Sequence, residues 1–213
     1  MRRATLGSDR GANLRALIDA VIVLARGGVV AIPTDTLYGL AVDPLSPTAI
    51  ARLMAVKERP KERAVALIAT DLAQVVADLG ELPPLAHKLA SRYWPGPLTL
   101  LVPRPASLPA DLTGGNSLVG VRVPNDDTAR ELCRAWGHVL TATSANISGE
   151  PASDNPDHIA RVFEHRDVGL LLDAGRTCGG PPSTVVDAAG DEIRLIRPGA
   201  IAWEDVQACA QHT

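Results

Sequence analysis

The stretch TVVDAAGDEIRLIR, residues 184–197, decides the class of fold, because it holds two apolar runs joined by a short polar turn. Thr184–Asp187 and Ile193–Arg197 have the composition of strands, and the Ala-Ala-Gly-Asp connection between them indicates a hairpin. A hairpin requires antiparallel pairing, whereas the upstream alternation of helical and strand patterns is typical of parallel pairing. The sequence therefore predicts an α/β (α+β) fold, a twisted mixed parallel and antiparallel sheet with flanking helices.

Outward from the hairpin, apolar periodicity predicts the remaining elements. Further strands are expected at 29–32, 64–69, 98–102, 118–123, 139–143 and 168–172. Helices are expected at about 14–25, 47–57, 71–79, 84–93, 127–136 and 157–163 and from about 203. Ser46 before Pro47 is an N-cap followed by proline at the first helical position. No linker-like stretch interrupts the apolar runs, so residues 1–213 are predicted to form a single domain.

Composition narrows the class of protein. The net charge is -3, which disfavours a general polyanion-binding surface. Three widely spaced cysteines, Cys133, Cys178 and Cys209, fit reduced thiols better than a disulfide framework. No apolar run approaches the length of a membrane span, and the arginines near the N-terminus have no apolar segment behind them. We therefore expect a cytoplasmic protein without a membrane association.

A dense run of charge follows the second predicted helix. In KERPKER, residues 57–63, cations occupy every second position, and Pro60 favours extended backbone. In an extended chain Lys57, Arg59, Lys61 and Arg63 would share one face, which suits a triphosphate or a carboxylate. The alternative is a solvated loop whose charges largely cancel.

Two polar loops follow apolar strands. TSANISG, residues 143–149, is rich in hydroxyl and amide groups and suits a loop that grips phosphate or ribose at a sheet edge. PTDTLYGL, residues 33–40, leaves its strand in the same way, with two threonines that can hydrogen-bond a small ligand. Each segment is equally compatible with a plain turn.

Two strand arginines stand out. Arg122 lies among valines, so alternation directs its side chain to the opposite face, beside the space left by Gly120. Arg197 shares the face of Ile193 and Leu195 and is expected at the end of a buried row, where it needs an anionic ligand or a protein carboxylate. Ser183, at the start of the neighbouring strand, either reaches a ligand or ends a loop.

Several familiar sites are missing from the sequence. It has no G-x-x-x-x-G-K-[ST], G-x-G-x-x-G, C-x-x-C or H-E-x-x-H motif, no metal-type spacing among its histidines, and no evident covalent nucleophile. The remaining chemistry is positioning and charge neutralisation, as phosphoryl and nucleotidyl transfer require.

Taken together and in order, these segments resemble the YrdC-like threonylcarbamoyl-AMP synthases over about residues 12–210. The resemblance is carried by PTDTLYGL (33–40), the K-x-R of Lys57 and Arg59, WPGPLTL (94–100), VRVP (121–124), SANISG (144–149), PSTVVD (182–187) and IRPG (196–199). Each motif is modest alone, but seven in register are specific.

The resemblance implies a YrdC-like fold and an L-threonylcarbamoyladenylate synthase, which condenses L-threonine, bicarbonate and ATP with Mg²⁺ for tRNA threonylcarbamoyladenosine modification. It implies a threonylcarbamoyl-transferase partner acting on tRNA and no dedicated protein metal site. By motif position, Lys57 and Arg59 would be catalytic, and Thr34, Arg122 and Ser183 would hold threonine. The implied ATP ligands are Lys57, Arg59, Ser117, Thr143, Ser144, Asn146, Ser153 and Arg197.

The chain departs from the family pattern after Arg59. Ala64-Val65 stands where the family usually has a proline-leucine pair, and no histidine follows, so other residues must replace those threonine contacts. Two alternatives remain. One is a carbamoyl-transfer module like that of hydrogenase-maturation proteins, although their zinc-binding and acylphosphatase-like regions are missing here. The other is a protein of the same fold that binds RNA, at least weakly, without turnover.

Overall fold

The computed structural model describes residues 1–60 and 64–211. Its strands are β1 (Arg2–Thr5), β2 (Val30–Ile32), β3 (Gly39–Ala41), β4 (Ala66–Ile68), β5 (Leu98–Pro103), β6 (Leu118–Arg122), β7 (Leu140–Ser144), β8 (Leu170–Asp173), β9 (Thr184–Asp187) and β10 (Arg194–Arg197). Its helices are α1 (Arg10–Ala25), α2 (Pro47–Lys57), α3 (Leu72–Leu79), α4 (Pro84–Tyr93), α5 (Asp127–Trp136), α6 (Pro156–Val162) and α7 (Trp203–Gln211), and Ala110–Thr113 forms a 3₁₀ turn.

The strands form one mixed sheet in the order β1-β8-β2-β3-β7-β4-β6-β5-β9-β10. The pairs β1/β8, β2/β8, β4/β6 and β5/β9 are parallel. The other neighbours are antiparallel. The hairpin is confirmed, because Asp187 pairs with Arg194 and Val186 with Leu195. The predicted mixed sheet with flanking helices is therefore confirmed.

Hydrophobic layers cover both faces of the sheet. One layer packs under α1 and α5 and includes Leu17 and Leu132. The other includes Leu53 of α2 and side chains of α3 and α4. Successive residues of β4 enter different layers, Leu67 the second and Ile68 the first, as the two-residue period of a strand requires. Among the described residues, the layer under α1 and α5 includes none from β5, β6 or β9, which leaves that face of the sheet available for a site over those strands.

Helix α2 spans the predicted residues 47–57, but the charged run that follows does not have the predicted conformation. Ser46 Oγ accepts a hydrogen bond from Ala49 N at 3.2 Å, and Pro47 occupies the first turn. The predicted extended chain from residue 57 is wrong at its first step, because Lys57 is the last residue of the helix and Glu58 is left-handed, with φ of 50°. Lys61 and Arg63 lie outside the described residues. The proposed common face of four cations therefore fails where the structure describes the chain.

Two short strands, β1 and β3, were not predicted from the sequence. Strand β3 has only three residues and overlaps the end of the PTDTLYGL segment, where no strand was predicted. A Cβ on Gly39 would lie 3.3 Å from the carbonyl oxygen of Thr143, so glycine allows the close approach of β3 to β7. Strand β1 is polar and largely exposed, and it pairs with β8 at the sheet edge.

The expectation that Arg197 ends a buried row is wrong. Strand β10 is the outermost strand, and its register shifts between Leu195 and Arg197. Arg197 is exposed as a residue, and the described residues supply it with no carboxylate partner. An edge strand can carry a cation because water reaches it, so the buried-row argument does not apply.

Within the described part of the chain, no helix combines the length and apolarity needed to cross a membrane.

Candidate functional site

A cavity of about 330 Å³ lies against one face of the sheet, where residues of β4, β5, β6 and β7 line it. This volume lies within the range of small-molecule sites. Its lining combines hydroxyl groups, small residues and three guanidinium groups. The polar and charged lining residues are Thr34, Thr36, Tyr38, Arg59, Thr99, Arg122, Thr143, Ser144, Ser183 and Arg197.

Arg122 projects into this cavity from the end of β6. The neighbouring valines face the core, and Gly120, two residues earlier on the same face, lines the cavity beside it, as alternation predicts. The side chain is 9% exposed, and its Nη1 lies 3.0 Å from Asp35 Oδ1. Burial lowers the pKa of Arg122, and the negative charge of Asp35 opposes that shift. The cavity thus contains a buried cation with an anion at close range.

The loop after β2 is held in shape by its own hydroxyl groups. Thr34 Oγ1 donates to Leu37 O at 2.7 Å and accepts from Thr36 N at 3.2 Å. Tyr38 OH donates to Gly175 O at 2.7 Å and accepts from Ala174 N at 3.2 Å. Burial raises the pKa of Tyr38 to about 12, so its hydroxyl remains a donor. This loop is therefore a rigid wall of the cavity.

Ser183 and Arg197 meet on the opposite wall. Arg197 Nη2 donates to Ser183 O at 2.7 Å and to Ser183 Oγ at 3.2 Å. Ser183 Oγ also lies 2.9 Å from Thr99 Oγ1 on β5. A Cβ on Gly199 would lie 2.3 Å from Pro182 O, so glycine in the IRPG segment permits this packing. Residues assigned by resemblance to separate ligands, threonine and ATP, are thus in direct contact.

Lys57 contacts the 144–146 segment as predicted, but it is not among the residues that line the cavity. The residue is 1% exposed, and its Nζ donates to Asn146 O at 2.8 Å, to Asn146 Oδ1 at 3.2 Å and to Ser144 O. An ammonium group has three donors, and these three oxygens account for all of them. Burial, assisted by the positive charge of Arg59, lowers the pKa of Lys57 to about 7. Lys57 therefore holds the loop together and does not line the cavity.

The end of β7 presents two of the predicted ligands, and the loop that follows it contains a third. Thr143 and Ser144 line the cavity, whereas Asn146 points into the loop. Asn146 Oδ1 accepts from Ser144 Oγ at 2.5 Å, and Asn146 Nδ2 donates to Glu150 O at 2.5 Å. The asparagine therefore orders the loop that offers the hydroxyl groups.

Arg59 lines the cavity, and its Nη2 donates to Ala64 O at 2.7 Å. Ser117 and Ser153 are not among the cavity-lining residues of the described chain. Ser117 is exposed before β6, and its carbonyl accepts from Arg104 N at 2.8 Å. The carbonyl of Ser153 accepts from Tyr38 N at 3.0 Å, which places Ser153 behind the wall.

Three residues of this site were not singled out from the sequence: Asp35, Tyr38 and Thr99. Thr99 had a readable signal, because Leu98 and Leu100 flank it and alternation directs it away from the core. Asp35 and Tyr38 lie inside PTDTLYGL, which was noted only for its threonines. Nothing local showed that Asp35 pairs with a residue of β6.

The described residues contain no group of three or more histidine, cysteine, aspartate or glutamate side chains arranged to hold a metal ion.

A single family model describes most of this architecture. The model named Sua5_yciO_yrdC, with the description "Telomere recombination", matches residues 22–199. The chain therefore belongs to the Sua5/YciO/YrdC family, and the resemblance drawn from its motifs is confirmed.

Individual relatives carry a more specific name. The chain is 35% identical over 184 residues to a threonylcarbamoyl-AMP synthase of Pyrococcus abyssi and 35% identical over 193 residues to one of Bacillus subtilis. These matches cover 86% and 90% of the chain but 54% and 56% of the relatives, so the chain spans about half of their length. The crystal structure of P. abyssi Sua5 complexed with L-threonine matches with a TM-score of 0.88 at 32% identity, over 98% of this chain and 60% of that one.

Proposed function

We propose that the protein is an L-threonylcarbamoyladenylate synthase. It would join L-threonine, bicarbonate and ATP into threonylcarbamoyl-AMP and release pyrophosphate. The observation that carries this proposal is the cavity in which Arg59, Arg122 and Arg197 converge with the hydroxyl groups of three loops. The similarity to a Sua5 structure complexed with L-threonine supports the amino acid as one ligand.

Threonine fits the Arg122 end of the cavity. A guanidinium binds a carboxylate through paired hydrogen bonds, and Thr34 and Ser183 provide hydroxyl groups on either side. Ala64 and Val65 also line the cavity, where other family members have a proline-leucine pair. We propose that these smaller apolar side chains contact the threonine there.

ATP fits the remaining polar wall. Arg197 carries a positive charge at the sheet edge, Arg59 also lines the cavity, and Thr143 and Ser144 present hydroxyl groups at the end of β7. The triphosphate is a dense anion, so it favours this region, and Mg²⁺ would reduce the repulsion among its oxygens. Lys57, Asn146 and Ser153 would act indirectly by holding the loops, and we assign Ser117 no contact.

The reaction needs position and charge neutralisation rather than a covalent enzyme intermediate. The threonine amine first condenses with bicarbonate to a carbamate, with loss of water. A carbamate oxygen then forms a bond to the α-phosphorus while the bond to the pyrophosphate oxygen breaks. Cations that stabilise the departing pyrophosphate lower the barrier, and Arg59 and Arg197 are placed for that role.

The proposal extends to the cellular setting. Residues 1–213 would act as a single domain in the cytoplasm, and the unstable product would pass to a threonylcarbamoyl-transferase that modifies tRNA. A chain with net charge -3 disfavours a large RNA-binding surface, so any RNA contact would be weak and local.

A pyrophosphate-release assay tests this function. Release from ATP should require L-threonine, bicarbonate and Mg²⁺ together. Equal release without threonine, or none with every component present, would reject the proposal. Salt-sensitive RNA binding without turnover would instead favour the RNA-binding interpretation.

A further inference from the structure

Asp35 is a buried carboxylate that the proposed reaction leaves without a role. Its side chain is 8% exposed, and Oδ1 lies 3.0 Å from Arg122 Nη1. The Arg122 N–H is poorly aligned with that oxygen. Among the described residues, no donor makes a well-directed hydrogen bond to either carboxylate oxygen of Asp35. Arg122 Nη1 likewise has no well-directed acceptor there. Because open hydrogen-bonding valences are costly inside a protein, such a pair requires a functional explanation.

Asp35 acts through Arg122 and not on a ligand directly. Arg122 lines the cavity, whereas Asp35 lies behind it and is not among the lining residues. The Thr34 hydrogen bonds to Leu37 and Thr36 fix the loop that carries the carboxylate. The carboxylate is therefore a fixed support that restricts where the Arg122 guanidinium can lie.

The pair also changes the charge of this end of the cavity. Arg122 and Asp35 together have zero net charge, and Asp126 and Arg197 are the other charged groups that influence Arg122. Arg197 donates to Ser183 and has no carboxylate partner among the described residues. The Arg122 guanidinium thus offers directed hydrogen bonds with little net charge, whereas Arg197 offers a positive charge.

We propose that Asp35 is the positioning residue that makes the Arg122 subsite select a zwitterionic amino acid over a phosphate group. A free amino acid has zero net charge, so it loses little when the charge of Arg122 is cancelled. It binds through its carboxylate to the oriented guanidinium. A phosphate group is attracted mainly by net positive charge, so the negative charge of Asp35 lowers the affinity of this subsite for phosphate. This inference rests on the proposed function.

The variant Asp35→Asn tests the inference in the pyrophosphate-release assay. KM for threonine should rise about tenfold, while KM for ATP stays within about threefold, because only the amino-acid subsite loses its support. Inorganic phosphate should become a competitive inhibitor against threonine, whereas it should not compete with threonine in the wild type. Asp35→Glu keeps the charge, so it should still exclude phosphate and should recover part of the threonine affinity.

The matched control is Asp187→Asn. Asp187 is also a buried aspartate, and its Oδ2 pairs with Arg194 at 2.7 Å outside the cavity. This control should leave both KM values and the phosphate response unchanged. If it reproduces the Asp35→Asn pattern, general destabilisation explains the effect and the inference is overturned.

A double-mutant cycle that combines Asp35→Asn with Arg122→Gln keeps the inference testable if Asp35→Asn alone does not fold. The double variant removes both charges and so leaves no unpaired buried ion. Adding Asp35→Asn to Arg122→Gln should not raise KM for threonine further, since Asp35 acts only through Arg122. A further rise would overturn the inference. Equal rises in both KM values for Asp35→Asn, or an unchanged phosphate response, would also overturn it.

Thermal unfolding separates this inference from the proposed function. L-threonine should stabilise the wild type and should stabilise Asp35→Asn less at the same concentration. A wild type that neither turns threonine over nor is stabilised by it rejects the function and, with it, the threonine subsite. A wild type that passes both tests beside an Asp35→Asn variant with unchanged threonine affinity rejects the role of Asp35 alone.

Discussion

Lys57 and Arg122 are both buried cations beside the same cavity, but their surroundings differ. The three donors of Lys57 meet three oxygens of the 144–146 segment, so the protein itself satisfies this group. Arg122 has one close anion, Asp35, and an Nη1 without a well-directed acceptor. The saturated cation orders a loop, and the unsaturated one faces the cavity.

Burial and positive charge alone therefore do not identify a ligand-binding residue. What matters is the number of donors that the fold leaves open. By this criterion the two cations of the K-x-R motif have different roles. Lys57 donates all its hydrogen bonds to the 144–146 segment, whereas Arg59 lines the cavity. Four experiments test this distinction between Lys57 and Arg122, and the one expected to change activity most comes first.

Arg122→Lys should have the largest effect. Lysine keeps the charge but loses the planar fork, so KM for threonine should rise about ten- to a hundredfold, with KM for ATP within about threefold. Steady-state kinetics with each substrate varied in turn will measure both values. Arg130→Lys is the control, because Arg130 pairs with Asp127 on α5. A larger change for ATP than for threonine would show that the two subsites are assigned in reverse.

Lys57→Met should act on the loop and, through it, on ATP. Methionine removes the donors of three loop oxygens, at a cost of about 1 to 3 kcal/mol of unfolding free energy. KM for ATP should rise about tenfold as Thr143 and Ser144 lose their fixed positions, a step of about 1.4 kcal/mol. Hydrogen exchange should show loss of protection in residues 144–150.

The control for Lys57→Met is Lys88→Met, whose Nζ donates to Ala210 O at 3.1 Å away from the cavity. It should leave the 144–150 loop protected. If Lys57→Met weakens ATP without loosening the loop, Lys57 contacts the nucleotide and the comparison fails.

The sequence predicted most of the fold because the relevant signals are local. The hairpin at 184–197, the Ser46-Pro47 helix start and the alternation around Arg122 each depend on residues a few positions apart. Strand β3 was missed because three residues are too few for a period to show. The register shift before Arg197 was missed because a bulge breaks the alternation on which the prediction depended.

The site was harder to predict because its contacts join distant residues. Lys57 and its acceptors on Asn146 are 89 positions apart. A lysine at a helix end before a proline is usually solvated, so nothing local indicates that this one is buried. The motifs identified which segments form the cavity, whereas the distinction between contact and support depends on tertiary packing.

The pH dependence of stability gives a second test of the Lys57 environment. Burial lowers the pKa of folded Lys57 to about 7, whereas in the unfolded chain the pKa has its ordinary value of 10.5. Between these values the unfolded state binds more protons, so stability rises with pH through this window. The unfolding free energy of wild type minus Lys57→Met should rise by up to about 1.4 kcal/mol per pH unit. Denaturant titrations from pH 6.5 to 10 measure this difference, and a flat difference would show that the three oxygens keep the ammonium charged.

Gly120→Ala should give the smallest effect and tests the space beside Arg122. An added Cβ would lie 3.3 Å from Thr99 Cγ2 and 3.4 Å from Ala66 Cβ, which is tight but short of a severe overlap. We expect a loss of about 1 kcal/mol in unfolding free energy and a rise of about two- to fivefold in KM for threonine. Gly190→Ala is the control, because a Cβ there would meet no atom within 4 Å. An equal rise for ATP would mean that the nucleotide also occupies the Arg122 subsite, and the distinction between a charge-neutral Arg122 pair and a positive Arg197 would then be untenable.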